Sequence, residues 1–283
     1  KETEAINATA TGNPDVHLKP NASITVMFHG NRFAVAEEIV NAYEKKYGTT
    51  VSYTSLPPGV TVRVLAKYLK SAHPPIQGDK WSPSQATIDL INPDVVMLNP
   101  GILGLDKTRL GNELSGMVSP LGLYSTVHDV VMVNRASDKR VTSFEAAFEG
   151  KSLRFVMPGK NSNLPIWKIL ENKLGKEKFD AIKNSGRMGL SHPKHHRFVP
   201  LRIAASCEDF GFQYWQSAPS LERDYPGQLK FTKLNLARTD LVAEDSAVYV
   251  VKQTKNESEA KRFAEFMLSA DAQTILKKYH LEI

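Results

Sequence analysis

Ser23-Ile24-Thr25-Val26-Met27-Phe28, then the turn His29-Gly30-Asn31-Arg32, then Phe33 to Gly48: this stretch decides how the chain folds. The first six residues are mostly apolar and rich in β-branching, as a buried strand requires, and the run stops at a glycine-containing turn. From Arg32 the period changes. Phe33, Ala36, Ile39, Val40 and Tyr43 recur on one helical face, Glu37, Glu38, Glu44, Lys45 and Lys46 fall on the other, and Gly48 supplies a C-terminal stop. Strand, turn and amphipathic helix in this order form the unit of a mostly parallel sheet with helices packed on it.

Outward from this unit the plan repeats. Thr50 to Ser55 reads as a second strand, Pro57-Pro58-Gly59 leads into a helix carrying Val60, Val64, Leu65 and Tyr68, and Asp94 to Leu98 is a third strand ending at Asn99-Pro100-Gly101. Leu123 to Asn134 is a long extended segment without a helix, in which Tyr124 to Asp129 is followed by a strand at 130–134, and it is suited to crossing between two units. Beyond it come a strand at Leu153 to Met157, the turn Pro158 to Asn163, and a helix whose buried side is Ile166, Ile169, Leu170, Leu174 and Phe179. A helix near Val199 to Ala205, a strand at Phe210 to Trp215 and an extended run at Leu229 to Leu236 follow. The strand Ala247 to Val251 then precedes a helical stretch with Ala260, Phe263, Phe266, Met267, Ile275 and Leu276 inward. The expected fold is therefore α/β and two-lobed, with mixed sheets flanked by helices and two extended hinge crossings. Residues 1–22, polar and rich in Asn, Thr, Ala and Pro, form a flexible arm or tether; 23–125 and 241–283 form lobe one; 126–240 form lobe two.

Composition narrows the function classes. With 283 residues, 41% of them hydrophobic, the chain is long enough for two compact units. No run approaches the roughly 18 apolar residues of a membrane helix. The single cysteine, Cys207, excludes an intramolecular disulfide and a Cys-based zinc site. Lys and Arg exceed Asp and Glu by 36 − 30 = 6, but they are dispersed and alternate with acids on helix faces, so nucleic acid is not an expected partner. The opening Lys1-Glu2-Thr3-Glu4 lacks a signal-peptide core, which suits a cytosolic protein or a mature exported form. No phosphate-binding glycine loop and no Gly-x-Ser-x-Gly elbow occurs, so the chain is not expected to be an enzyme or to carry a cofactor.

Loops after parallel strands gather at the carboxyl ends of a sheet, where helix starts offer backbone N–H groups to anions. Three turns carry hydrogen-bond donors: His29-Gly30-Asn31-Arg32, Thr54-Ser55 and Asn161-Ser162-Asn163. Singly, each is what ordinary helix capping prefers. Their occurrence in both halves favours a ligand met from two sides. The cluster Ser191-His192-Pro193-Lys194-His195-His196-Arg197 reads as a surface or hinge-lining group or an anion contact; as a metal site it lacks a spaced carboxylate, and no metal is expected.

Four stretches resemble the periplasmic molybdate-binding proteins of bacterial ABC importers, which have the type II periplasmic solute-binding fold. They are Ile24 through Glu37-Glu38-Ile39 to Gly48; Lys194-His195-His196-Arg197 with Pro200-Leu201-Arg202-Ile203; Phe210-Gly211-Phe212-Gln213-Tyr214; and the closing Glu259 to Tyr279. The resemblance implies an extracytoplasmic binding protein, periplasmic and possibly membrane-tethered through its N-terminal arm. It would be a monomer that captures a molybdate- or tungstate-like oxyanion in an interlobe cleft and hands it to an ABC transporter permease. It places the family's ligand positions at Asn31, Ser55, Asn161, Ser162, Asn163, His196 and Tyr214, with His29 and Arg32 adding bulk and positive charge beside them. Asn31 replaces the family's serine, and Leu56-Pro57-Pro58-Gly59 replaces a Ser/Gly run. A small carboxylate, a metal ion held by His29, His196 and Tyr214, or an enzyme using His29 on the same fold remain the alternatives.

Overall fold

The computed structural model describes residues 13–69, 83–101, 109–149, 152–159, 164–189 and 196–282. By its contacts the chain falls into two units. Unit one takes the described residues up to Thr126 together with Asp245–Lys278, and unit two takes Val127–Glu244 with Tyr279–Glu282.

Unit one begins earlier than its composition suggests. Strand β1 (Val16–His17) lies antiparallel on the edge of β3 (Val51–Leu56), with Val16 opposite Thr54, so residues 13–22 are not a loose arm. Residues 1–12 lie outside the described residues. Between β1 and β3 in the chain come β2 (Ile24–His29) and helix α1 (Phe33–Tyr47), joined by a 3-10 turn at Gly30–Arg32. Strands β2 and β3 are parallel and in register from Ile24 opposite Val51 to His29 opposite Leu56, so both end at the same edge. Helix α1 buries Phe33, Val35, Ala36, Ile39, Val40 and Tyr43, and stops where Gly48 adopts φ 66° and its N–H bonds Glu44 O. The left-handed cap is cheap for glycine because no Cβ meets the carbonyl.

After β3, helix α2 (Pro58–Ala66), helix α3 (Gln85–Leu90, capped by Ser84 Oγ on Thr87 N–H), strand β4 (Val95–Leu98) and helix α4 (Arg109–Met117) lead to β5 (Val118–His128). The extended crossing is two strands, the second beginning at Val130 as expected, with Asp129 between them accepting the Val130 N–H on its carboxylate at 2.9 Å. Strand β6 (Val130–Arg135) then opens unit two, followed by α5 (Phe144–Glu149), β7 (Phe155–Val156), α6 (Pro165–Leu174), α7 (Lys176–Lys183), α8 (Phe198–Ala204), β8 (Phe210–Tyr214), α9 (Ala218–Asp224) and β9 (Leu229–Lys233). The single helix expected after the Pro158 turn is broken into α6 and α7 at Gly175, which sits at φ 80°. The sheet order is β7-β8-β6-β9, with β7 and β8 parallel and the other pairs antiparallel. Its central strands are covered on both faces. Val130 and Met132 pack with Phe144, Trp167, Phe210, Phe212 and Tyr214, whereas Val131 and Val133 pack with Val199 and Ile203 of α8. Gly211 permits that second layer, since a methyl group there would lie 2.8 Å from both Val156 O and Val199 Cγ1.

Strand β10 (Ala243–Val251) returns to unit one and runs antiparallel to β4, with Ala247 opposite Leu98. Helices α10 (Glu257–Met267) and α11 (Ala270–Lys278) then close the unit, Phe263 and Phe266 packing on Tyr43 with ring centroids 4.7 and 5.3 Å apart. The last described residues do not stay there. Strand β11 (Leu281–Glu282) pairs with the end of β5, Leu281 opposite His128, and His280 stacks on Trp215 at 3.9 Å. A lobe boundary drawn at 241–283 from sequence misses this because the decisive partner, His128, lies more than 150 residues upstream.

Candidate functional site

In unit one the parallel register of β2 and β3 brings two turns together. Gly30 is where they touch: a Cβ there would lie 3.1 Å from Pro57 N, 3.2 Å from Leu56 C and 3.3 Å from Leu56 O. These are backbone atoms with little room to move, so the close approach itself selects glycine. Around this contact His29, Asn31, Arg32 and Ser55 are all buried, Arg32 to 1% exposure. The Arg32 guanidinium donates from Nη2 to Thr126 Oγ1 at 2.7 Å and from Nη1 to Asn31 Oδ1 at 3.3 Å. Ser55 N–H donates to Asp15 O at 2.9 Å, but the Ser55 hydroxyl, 1% exposed, has no hydrogen-bond partner among the described residues. Leaving a buried hydroxyl unsatisfied costs about 1–3 kcal/mol, and Ser55 lies one residue before the end of β3, at the edge where β2 also stops. The neighbouring Thr54 hydroxyl is buried in the same condition.

The helix starts differ from expectation. Helix α2 begins Pro57-Pro58, two residues without an N–H, and the amides of Val60 and Thr61 go back to Pro57 O. That helix therefore has fewer first-turn donors than a Ser/Gly run would give, and side chains carry more of the polar chemistry at this edge.

In unit two β8 ends at Tyr214, which is fully buried. Its hydroxyl accepts the Ile166 N–H at 3.2 Å, so it satisfies a first-turn amide of α6, whose N-cap residue Leu164 cannot. The Tyr214 ring lies between two imidazoles, His196 at 5.3 Å and His128 at 4.5 Å. His196 is held through its backbone carbonyl, which accepts from Gln213 Nε2. His128 is fully buried, with Nδ1 2.9 Å from Gln216 Oε1 and Nε2 2.7 Å from Glu244 Oε2. His128 and Glu244 belong to β5 and β10, the two strands that carry the chain between the units.

The structure places His29, Asn31 and Arg32 at the end of β2 and Ser55 on the adjoining β3 in unit one, and sets the His196 ring against Tyr214 in unit two. Asn161, Ser162 and Asn163 lie outside the described residues, as does most of the histidine cluster; its last member, Arg197, pairs with Asp224 at 2.9 Å. Among the described residues no three His, Cys, Asp or Glu side chains group as a metal site. Sequence reading missed Thr126, His128, Gln213 and Gln216. Polar residues inside otherwise apolar strands were the available signal, for Gln213 stands between Phe212 and Tyr214.

These two units, each an α/β layer structure built on its own sheet, define a type II periplasmic binding protein fold. Residues 110–282, more than half of the chain, match the family model of bacterial extracellular solute-binding proteins, and the chain belongs to that family. Solved structures agree on the fold. The periplasmic molybdate-binding protein of Azotobacter vinelandii is similar over 92% of this chain and 99% of its own, with a TM-score of 0.62 at 14% identity. The sulfate-binding protein SubI of Mycobacterium tuberculosis is similar over 91% and 85%, with a TM-score of 0.61 at 14% identity. A ferric binding protein from Campylobacter jejuni is similar over 89% and 83%, with a TM-score of 0.53 at 15% identity. No curated protein matches the chain by sequence. No helix among the described residues is long and apolar enough to cross a membrane.

Proposed function

We propose that this chain captures a small oxyanion of the molybdate, tungstate or sulfate kind outside the cytoplasm and delivers it to an ABC importer, making and breaking no bond. The buried hydroxyl of Ser55, without a hydrogen-bond partner among the described residues, is the observation that carries this reading. A desolvated anion needs donors to replace its water, and the side chains at this edge include a hydroxyl, a carboxamide and a guanidinium. Asn31, Ser55, Arg32 and His29 are the donor-bearing side chains proposed for unit one, and Tyr214 and His196 those proposed for unit two.

The presence of Arg32 also favours a second reading, a small carboxylate, because a guanidinium fork matches carboxylate oxygens in pairs. Thermal unfolding of the full chain with molybdate, tungstate, sulfate, phosphate and small carboxylates separates the two. Stabilisation by a tetrahedral oxyanion supports the first reading, stabilisation by carboxylates alone supports the second, and a response to none of them overturns both. A monomer, tethered through the residues that precede β1, is the form in which we expect the protein to act.

A further inference from the structure

The loop that follows β9 is fixed in place by side chains of α6. Lys173 Nζ donates to Asn235 O at 2.5 Å, Asn172 Nδ2 donates to Asp240 O at 3.1 Å, and the Asp240 carboxylate folds back to accept the Ala237 N–H at 2.8 Å. Held in this way, the stretch from Lys233 to Leu241 borders, together with Asp129, a hollow of about 520 Å³ in unit two. That volume falls within the roughly 300–1,000 Å³ of small-molecule sites. The lining has two characters. Leu234, Leu236 and Leu241 are apolar, the first buried and the other two half-buried. Lys233, Asn235 and Arg238 carry donors. The Lys233 ammonium is already engaged, 3.2 Å from Asp129 Oδ2 and 3.9 Å from the centre of the Trp215 ring. Arg238 is exposed, and its guanidinium has no hydrogen-bond or ion-pair partner among the described residues; the Asn235 carboxamide is in the same condition.

We propose that this hollow is a second binding site, for an organic anion with a carboxylate head and an apolar body. The charges decide the sign of the ligand. Two cations against one carboxylate leave the lining at 2 − 1 = +1, and both Asp129 oxygens are engaged, Oδ2 by Lys233 and Oδ1 by the Val130 N–H, so a metal cation finds no carboxylate to take. Arg238 decides the head group: its paired N–H groups match two carboxylate oxygens, and no partner inside the fold has to be displaced first. The leucines decide the body. A bare tetrahedral oxyanion would fill a small part of the hollow and leave their side chains facing water, whereas an alkyl or aryl chain covers them. The bonds from Asn172 and Lys173 fix the wall before the ligand arrives, which lowers the ordering cost of binding. None of the lining residues belongs to the donor sets proposed for the oxyanion, so this inference does not depend on that reading.

Calorimetric titration of the full chain at neutral pH with acetate, butyrate and hexanoate, and with hexylammonium as a cation of the same body, tests the proposal. Hexanoate is expected to bind saturably at one site, the affinity rising by up to about fourfold for each CH2 added along the series, and hexylammonium is expected not to bind. Arg238→Gln, at an exposed position, should keep its unfolding temperature and weaken hexanoate binding about tenfold or more. Arg238→Lys should recover only part of the loss, because an ammonium does not form the paired bonds. Hexanoate binding should persist in Ser55→Ala and in excess sulfate, and Arg238→Gln should leave any molybdate or sulfate binding as it is. Failure of the oxyanion reading and failure of this one therefore show in different titrations. No saturable hexanoate binding, equal affinities for acetate and hexanoate, or equal binding of hexylammonium would overturn the proposal. So would wild-type hexanoate affinity in Arg238→Gln, or loss of hexanoate binding in Ser55→Ala, which would put the carboxylate at the end of β3 instead.

Discussion

Replacing Ser55 by alanine should make the ligand-free protein more stable and a worse binder. The Ser55 hydroxyl is desolvated at 1% exposure and has no partner among the described residues, so in the empty protein it is a cost. Removing it relieves about 1–3 kcal/mol of unsatisfied desolvation. Against this, the vacated oxygen leaves a gap smaller than a methyl group, whose lost contacts return about 0.5–1 kcal/mol. The balance is a gain of about 0.5–2 kcal/mol, or a rise of roughly 1–6 °C in unfolding temperature for a chain of this size. The backbone is unaffected, because Ser55 N–H keeps its bond to Asp15 O. Loss of one hydrogen bond to a charged ligand should weaken binding by about 1.5–3 kcal/mol, roughly 10- to 150-fold. Differential scanning calorimetry of the empty proteins, paired with calorimetric titration of the anion, reads both quantities. A fall of several degrees in the empty variant would refute the reasoning, since it would mean the hydroxyl already has a stabilising partner inside the fold.

Other consequences follow from the same structure. The Arg140 guanidinium, with Arg135 behind it, holds the Asp138 carboxyl down from 3.8 to about 2. A lowered carboxyl stabilises the fold fully above its unfolded value and loses that contribution as pH falls from about 4 towards 2. The shift sets an upper bound of about 2.4 kcal/mol, and the 59% exposure of Arg140 reduces it to about 1 kcal/mol. Asp138→Asn should lower stability at pH 7 by that amount and flatten the acid limb of urea midpoints measured between pH 5 and 2. Gly211→Ala forces a methyl group onto Val156 O and Val199 Cγ1, both 2.8 Å away, and should cost about 1–3 kcal/mol in a urea titration. The same substitution at Gly30 meets backbone at 3.1–3.3 Å, and should weaken anion affinity in calorimetric titration by displacing the Asn31 turn, about tenfold or more.

What could be read from the sequence was what local chemistry controls. The β-branched run at Ile24 to Phe28, the apolar period from Phe33 to Tyr43 and the stop at Gly48 are each consistent with their neighbours, and β2, α1 and the cap fall where that reading puts them. Strand β1 was hidden because Asp15-Val16-His17 has no apolar run; it exists through its pairing with Thr54 and Tyr53 on an edge already formed. The break at Gly175 was hidden by an apolar period that continues through it to Phe179. For the site, donor-rich turns after strands were visible as a pattern. Which donors are already engaged was not, because that depends on pairs far apart in the chain. Tyr214 meets Ile166 across 48 positions, and His128 meets Glu244 across 116.

Calorimetric titration of the full chain with molybdate, tungstate and sulfate at neutral pH, with ferric ion as the counter-case, tests anion capture most directly. The account requires saturable one-to-one binding of at least one of these oxyanions, lost in Asn31→Asp, and no binding of ferric ion. Saturable binding of ferric ion with silence from all three oxyanions would contradict it.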